Sequence, residues 1–115
     1  MAFKINFTAD QVFDGCTMLV VSVQKRKAST EYNNSEDVKK YPFLVRLVVS
    51  DDSNGLNQGQ QVAVKLKSAE SLKTGQIFIF KDTTGASIPN GNVNFWSRGG
   101  YVQLSVKGDC LNAGN

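Results

Sequence analysis

Two aromatic side chains fall on polar faces of predicted strands near the end of the sequence. In a strand over residues 92–97, alternation places Trp96 on the same side as Arg98 and opposite Phe95. Beyond a Gly-Gly turn, Tyr101 falls on the polar side of the next strand. Unpaired bases stack on exposed rings of this kind, at about 1–3 kcal/mol per base. Stacking of nucleic-acid bases is therefore one interpretation of Trp96, and cover for one end of a barrel is the other.

Basic side chains accompany these rings and would neutralise the phosphates of the same ligand. Arg46, Lys65 and Lys67 alternate onto the outward side of two strands that an OB barrel would place side by side. A further basic run ends the first long strand and consists of Lys25, Arg26 and Lys27. Charge at a strand end also protects exposed β structure, which is the structural interpretation of that run. The chain has 13 basic and 10 acidic residues and a pI near 9.0, a balance that favours a polyanionic partner.

Tyr32 lies in a polar segment, residues 28–40, that has neither strand nor helical periodicity. We expect this segment to form an exposed loop or a mobile hairpin arm. An arm that closes over a bound strand would bring Tyr32 to the bases, whereas a plain loop would leave the ring without a role.

Catalytic chemistry is not indicated by the sequence. The chain has no histidine, so it lacks the commonest general base near neutral pH and the usual nitrogen ligand of zinc. It has no GxSxG, HExxH or P-loop motif. The run at 51–55 has two aspartates but lacks the late acidic ligand of a calcium loop. We therefore expect no enzyme activity, no cofactor and no bound metal.

The two cysteines, Cys16 and Cys110, lack the CxxC spacing of a metal or redox site. No apolar run approaches the roughly 18 residues of a membrane span, and the first residues lack the apolar core of a signal peptide. We expect a soluble, cytoplasmic protein with buried thiols, and a disulfide between the terminal strands is the alternative.

Short alternating segments rich in β-branched residues predict an all-β fold with about five substantial strands. Six candidate segments lie at residues 16–27, 41–50, 61–67, 76–81, 92–97 and 101–107, the last two as a hairpin. Helical turns are predicted at 8–13 and 68–75. The pattern favours a five-stranded Greek-key barrel of the OB type with extended hairpin arms, and a β-sandwich is the competing architecture. Residues 1–115 would form one domain, with a flexible tail at 112–115.

Three short runs carry a resemblance to a known family. They are Tyr41-Pro42-Phe43-Leu44-Val45-Arg46-Leu47, Val64-Lys65-Leu66-Lys67-Ser68 and Leu72-Lys73-Thr74-Gly75-Gln76. In these runs the chain resembles the small single-stranded DNA-binding proteins of filamentous phages, the gene-five type. The resemblance implies an OB-like barrel, a symmetric homodimer and cooperative, largely sequence-independent coating of a single-stranded genome. It also implies that Tyr41 lies at the binding and self-association region, and Arg46 near the DNA.

The expected function is therefore binding of single-stranded DNA, with RNA as a further ligand, in phage or plasmid replication. The end of the sequence lacks the acidic tail that cellular single-strand-binding proteins carry, which favours a phage or plasmid protein acting in the host cytoplasm. The alternative is a protein-binding β module, a phage or plasmid accessory factor without nucleic-acid affinity, in which the same aromatic side chains form a hot spot.

Overall fold

The computed structural model describes residues 7–26, 35–81 and 85–113, with 35–37 and 101–102 described by their backbone alone. The secondary structure is mostly β, with 49% of residues in strands and 9% in helices, which confirms the predicted all-β fold. The strands are β1 (Cys16–Lys25), β2 (Phe43–Asp52), β3 (Gln61–Leu66), β4 (Ile77–Ile79), β5 (Asn92–Arg98) and β6 (Tyr101–Gly108). The helices are α1 (Ala9–Phe13) and α2 (Ser35–Lys40).

The six strands form one mixed sheet in the order β4-β1-β2-β3-β6-β5. Neighbouring strands are antiparallel except β3 and β6, which run parallel from Ala63 opposite Ser105 to Leu66 opposite Gly108. Within the described residues the sheet is not closed, since no pairing joins β4 to β5. The prediction of a five-stranded barrel is therefore wrong in strand number and in closure, because the sheet has six strands and its edge strands β4 and β5 are not paired with each other.

The β5–β6 hairpin turns at Gly99-Gly100. Both glycines have positive φ, 59° and 86°, as a two-residue type I′ turn requires. The β5 side chains from Asn94 to Arg98 are exposed, so the hairpin extends past the core. The loop or hairpin arm expected at 28–40 is helical in its last six residues. Ser35–Lys40 is the short helix α2, and residues 27–34 lie outside the described part of the chain.

The core lies on the inward face of the sheet. Its fully buried side chains on β1, β2, β3 and β6 are Met18, Val20, Val45, Leu47, Val64, Leu66 and Val106. On and beside β4, Phe78 and Phe80 are buried, and the Phe80 ring meets Phe13 edge-to-face at 5.3 Å between centroids. Ile77 and Ile79 alternate outward and are exposed. Residues 77–80 alternate between isoleucine and phenylalanine, and the two phenylalanines therefore form the core side of this strand.

Helix α1 begins at a capping box. The Thr8 hydroxyl accepts the N–H of Gln11, and the Gln11 side chain accepts the N–H of Thr8. The Asp10 carboxylate accepts the N–H of Ile88 at 2.9 Å, which ties the helix to the segment before β5. The predicted helical turn at 8–13 is confirmed.

The helical turn predicted at 68–75 is wrong. The segment makes two separate tight turns, with the N–H of Leu72 donated to the carbonyl of Ala69 and the N–H of Gln76 to that of Lys73. The Gln76 side-chain oxygen accepts the N–H of Lys73 at 2.7 Å, so a side chain takes the donor that a helix would direct to its own backbone.

Asp52 organises the loop after β2. This buried carboxylate accepts the N–H groups of Asn54 (2.9 Å), Leu56 (3.3 Å) and Asn57 (3.0 Å). These donors, led by Asn54 and Asn57, hold the pKa of Asp52 below its ordinary value. The acidic run at 51–55 is thus the start of a turn whose buried carboxylate is already bonded by the backbone.

Both thiols are free of disulfide bonds, with Cys16 buried and Cys110 half-buried. Burial, followed by the nearby Asp52 and Asp14 carboxylates, raises the pKa of the Cys16 thiol, which keeps it protonated and unreactive. At the start of the predicted tail, Asn112 exchanges two backbone hydrogen bonds with Ser87, at 3.0 and 2.9 Å.

Across residues 7–26, 35–81 and 85–113, no helix is long and apolar enough to cross a membrane, α1 having five residues and α2 six.

Candidate nucleic-acid interface

A band of basic side chains crosses the outward face of β2, β3 and β6. Lys65 on β3 stands opposite Leu44 on β2 and Lys107 on β6, while Arg46 on β2 stands opposite Ala63 on β3. Opposite positions in a sheet lie about 4.5–5.5 Å apart at Cβ, so the three cations belong to one continuous surface. We call this surface the cationic face; its members are Arg46, Lys65, Lys107 and, on β5, Trp96.

Alternation fixes which side chains reach this face. Val45, Leu47, Val64 and Val106 point into the core, so Arg46, Lys65 and Lys107, next to them in the chain, point away from it. Other outward positions beside the cations carry Leu44 on β2 and the polar or small side chains of Ala63, Ser105, Asn92 and Asn94.

Trp96 lies on the outward side of β5, as alternation predicts. It is 44% exposed and stands opposite Gln103 on β6. Its neighbour Phe95 is 40% exposed on the other side of the strand, where its ring meets Phe7 edge-to-face at 5.9 Å between centroids. Trp96 is therefore an exposed ring on the outward side of β5.

The Tyr41 ring lies beside the cationic face and contacts two lysines. The ammonium groups of Lys40 and Lys107 each lie 5.7 Å from the centroid of its half-buried ring. Such cation–π contacts contribute about 0.5–1 kcal/mol each at exposed sites. The tyrosine therefore positions Lys107, and adds the end of α2 to the positive surface.

Arg26 has a structural contact in addition to its charge. Its guanidinium donates to the carbonyl of Tyr41 at 3.0 Å, and its backbone N–H donates to the carbonyl of Pro42. It thereby fixes the backbone that presents the Tyr41 ring. Lys25, at the end of β1 and opposite Phe43, is exposed.

The predicted site residues Lys27 and Tyr32 lie outside the described residues.

Lys67 has an acidic partner. It follows the last residue of β3, and its ammonium group forms a 3.2 Å ion pair with Asp109. Hydrogen bonds from Asn90 and then Lys67 hold the pKa of Asp109 below its ordinary value, so the pair is ionised at neutral pH. The expected stripe of Arg46, Lys65 and Lys67 thus has two members on the outward strand positions.

Arg98 and Tyr101 stand opposite each other at the end of the β5–β6 hairpin. The Arg98 side chain is exposed, while Tyr101 is described by its backbone only. Their register position is the same side of the hairpin as Trp96, two residues before Arg98.

Lys107 was missed by sequence reasoning. The alternation that assigns Tyr101, Gln103 and Ser105 to the polar side of β6 also reaches Lys107, so the signal was present. Its proximity to Lys65 depends on the parallel pairing of β3 with β6, which joins distant parts of the chain.

The other half of the outward face, on β4 and β1, is apolar. Ile77 is 60% exposed, Ile79 45% and Val21 40%. Leu19 stands opposite both Ile77 and Val48, so these side chains form one patch. We call it the apolar patch; its members are Leu19, Val21, Val48, Ile77 and Ile79.

No protein-family model matches the chain, and no curated protein or solved structure matches it either.

Proposed function

We propose that the protein binds single-stranded DNA on the cationic face. The observation that carries the proposal is the register that unites Arg46, Lys65 and Lys107 on one outward surface, with the open Trp96 ring at its edge. Such a surface provides both interactions that a sequence-independent binder of unpaired strands needs. The cations neutralise phosphates, and the ring stacks on bases.

The geometry favours an unpaired strand over a duplex. In a duplex the bases are already stacked on each other, so an exposed indole on an edge strand gains little from them. The faces of strands 2 and 3 are also where OB folds bind oligonucleotides. The finer fold proposed here is an OB-like, partly open arrangement in which β5 is an additional edge strand.

The biological role proposed is cooperative coating of single-stranded DNA during phage or plasmid replication in the cytoplasm, on the resemblance of residues 41–80 to the gene-five type. The apolar patch fits a homodimer, because a two-fold axis would oppose two identical uncharged surfaces and bury them. Coating of this kind needs contacts between protein copies, and the patch lies on the same outward face as the cations without overlapping them.

A gel-shift series with single-stranded DNA, duplex DNA and RNA of equal length tests the proposal. We expect single-stranded DNA to be bound more tightly than duplex, with binding lost as salt rises, since each neutralised phosphate releases counterions. Equal affinity for duplex would contradict the proposal. Tighter binding of RNA than of DNA would keep the mechanism and change the ligand.

The second candidate is a protein-binding β module, favoured by the exposed Ile77 and Ile79. Replacement of Arg46, Lys65 and Lys107 by Ala distinguishes the two functions. Loss of DNA binding with an unchanged thermal unfolding midpoint supports the nucleic-acid function. No binding by the unmodified protein, together with capture of a specific partner that Ile77→Lys abolishes, supports the protein-binding module.

A further inference from the structure

A cavity of about 530 Å³ opens where β3 and β6 separate. The parallel pairing of these strands begins at Ala63 opposite Ser105, so the preceding residues on each strand lie ahead of it. Gln61 and Val62 line the cavity on the β3 side, and Gln103 and Leu104 line it on the β6 side. The cavity thus occupies the gap between two diverging strands.

The rim of this cavity carries four carboxamides, from Asn57, Gln60, Gln61 and Gln103. Each carboxamide offers both hydrogen-bond donors and an acceptor, so together they match groups that display a mixed pattern on one edge. Asparagine and glutamine pair with nucleic-acid bases for this reason. None of the described residues that line the cavity is charged, so none of them would hold a phosphate.

The floor is apolar. It is formed by Phe13 of α1 and by Val49, Val62 and Leu104 of the sheet. Phe13, Val49 and Val62 are buried. A site with an apolar floor and a few convergent polar groups binds a flat, uncharged ring better than a flexible or ionic group. The volume is within the roughly 300–1,000 Å³ range of small-ligand pockets, enough for one base with room for its sugar.

The mouth of the cavity adjoins the cationic face. Gln103 stands opposite Trp96, and Gln61 stands opposite Val48, both at outward positions. Val62 and Leu104 are the next residues along each strand and point inward, so the cavity runs from the outward face into the sheet. A base next to one stacked on Trp96 is therefore within reach of the carboxamides.

The rim is held in place before any ligand arrives. Asp52 accepts the N–H of Asn57, and backbone hydrogen bonds join Val49 to Gln60 (2.8 Å) and to Gly59 (2.7 Å). A preformed rim lowers the entropy lost on binding.

From these observations we infer that the cavity is a base pocket, which accepts one nucleobase of the strand bound to the cationic face. The inference rests on the proposed function and deepens it. It adds a hydrogen-bonding site to a surface whose other contacts do not distinguish between bases. The protein would therefore show a moderate base preference in addition to sequence-independent binding.

Equilibrium binding to four homopolymeric DNA oligonucleotides of one length, at one salt concentration, tests the inference. The unmodified protein should prefer one base by about 3- to 10-fold, as expected from one or two net hydrogen bonds. The double variant Gln61→Leu, Gln103→Leu should bind all four with affinities within about twofold of each other, since it keeps the size of the side chains and removes their amides. Its salt dependence should not change, because the cations remain.

Gln24→Leu is the matched control, since Gln24 is an exposed amide on β1 that does not line the cavity. It should keep the base preference. Chemical shifts of the Gln61 and Gln103 side-chain amides in the unmodified protein provide a second readout that does not depend on a variant's folding. They should move when the preferred oligonucleotide is added, and by much less with an oligonucleotide of abasic sites.

The outcomes separate the two proposals. Salt-dependent binding with equal affinity for all four oligonucleotides, or a preference that survives the double variant, overturns the base pocket and leaves the proposed function standing. Absence of binding to every single-stranded oligonucleotide at low salt overturns both.

Discussion

The ammonium group of Lys107 lies 5.7 Å from the centroid of the Tyr41 ring, and so connects the end of β6 with the residues that lead into β2. Lys40 lies at the same distance from that ring. The aromatic ring thus contacts two like charges, and a phosphate bound beside it would be attracted to both.

Removal of the Tyr41 ring should weaken DNA binding without abolishing it. In Tyr41→Leu the two cation–π contacts are lost and Lys107 is no longer positioned, so we expect affinity to fall by about two- to fivefold. Tyr41→Phe keeps the ring and should bind within about twofold of the unmodified protein. Titration of a fluorescent oligonucleotide measures both. Equal losses in the two variants would show that the hydroxyl, and not the ring, matters.

Neutralisation of Lys107 should change the salt dependence of binding. For Lys107→Met we expect the slope of log affinity against log salt to become shallower by about 0.7, the value for one phosphate on a single strand. Lys73→Met is the control, because Lys73 is an exposed lysine in the turn before β4, away from the cationic face. An identical slope change in both variants would mean that only net charge counts.

Trp96 should contribute base stacking to the free energy of DNA binding and should not affect its salt dependence. Trp96→Ala should lose about 1–3 kcal/mol of binding free energy with an unchanged salt slope, and Trp96→Phe should lose less. Phe95→Ala tests the specificity of this effect, since Phe95 is a similarly exposed aromatic residue on the opposite side of the same strand. If Phe95→Ala costs as much affinity as Trp96→Ala, the outward face is not the stacking surface.

The Asp52 carboxylate should stabilise the fold in a pH-dependent manner. Its pKa is lowered in the folded state, so its contribution is fully present above the unfolded value of about 3.8 and is lost as pH falls through the folded value. Asp52→Asn should therefore be less stable than the unmodified protein at pH 7, and the difference should shrink below pH 4. Urea unfolding at a series of pH values measures this. A difference that stays constant down to pH 2 would rule out the ionised carboxylate as the cause.

The assignment of the core at 77–80 gives a test of the fold. Phe80→Ala should destabilise the protein by about 3–5 kcal/mol, because Phe80 is 1% exposed and packs on Phe13. Ile79→Ala, at 45% exposure, should cost much less. Comparable losses in the two variants would indicate that the isoleucine face is also covered, as a homodimer through the apolar patch would require.

The alternation of apolar and polar residues along the chain predicted the strands well. The alternation around Arg46 identified its outward position, because the opposite face of β2 is buried and the period of two leaves no freedom. Alternation also placed Trp96 opposite Phe95, although both side chains are exposed on β5. The capping residue Thr8 likewise predicted α1. These features depend on residues close together in the chain.

Contacts between distant residues were not predictable in the same way. Lys67, which alternation placed among the outward cations, forms an ion pair with Asp109, and the parallel pairing of β3 with β6 brings Lys107 next to Lys65. The cavity at Gln61 and Gln103 arises where that pairing begins. Each of these depends on sheet order, which the pattern of a single strand does not contain.

Titration of poly(dT) into the protein at several salt concentrations, followed by Trp96 fluorescence, tests the central claim most directly, since Trp96 is the single tryptophan of the chain. We predict a saturable change in emission at low salt and an affinity that falls steeply as salt rises, with a slope corresponding to several phosphates. Unchanged emission and no binding at low salt would contradict the assignment of the cationic face.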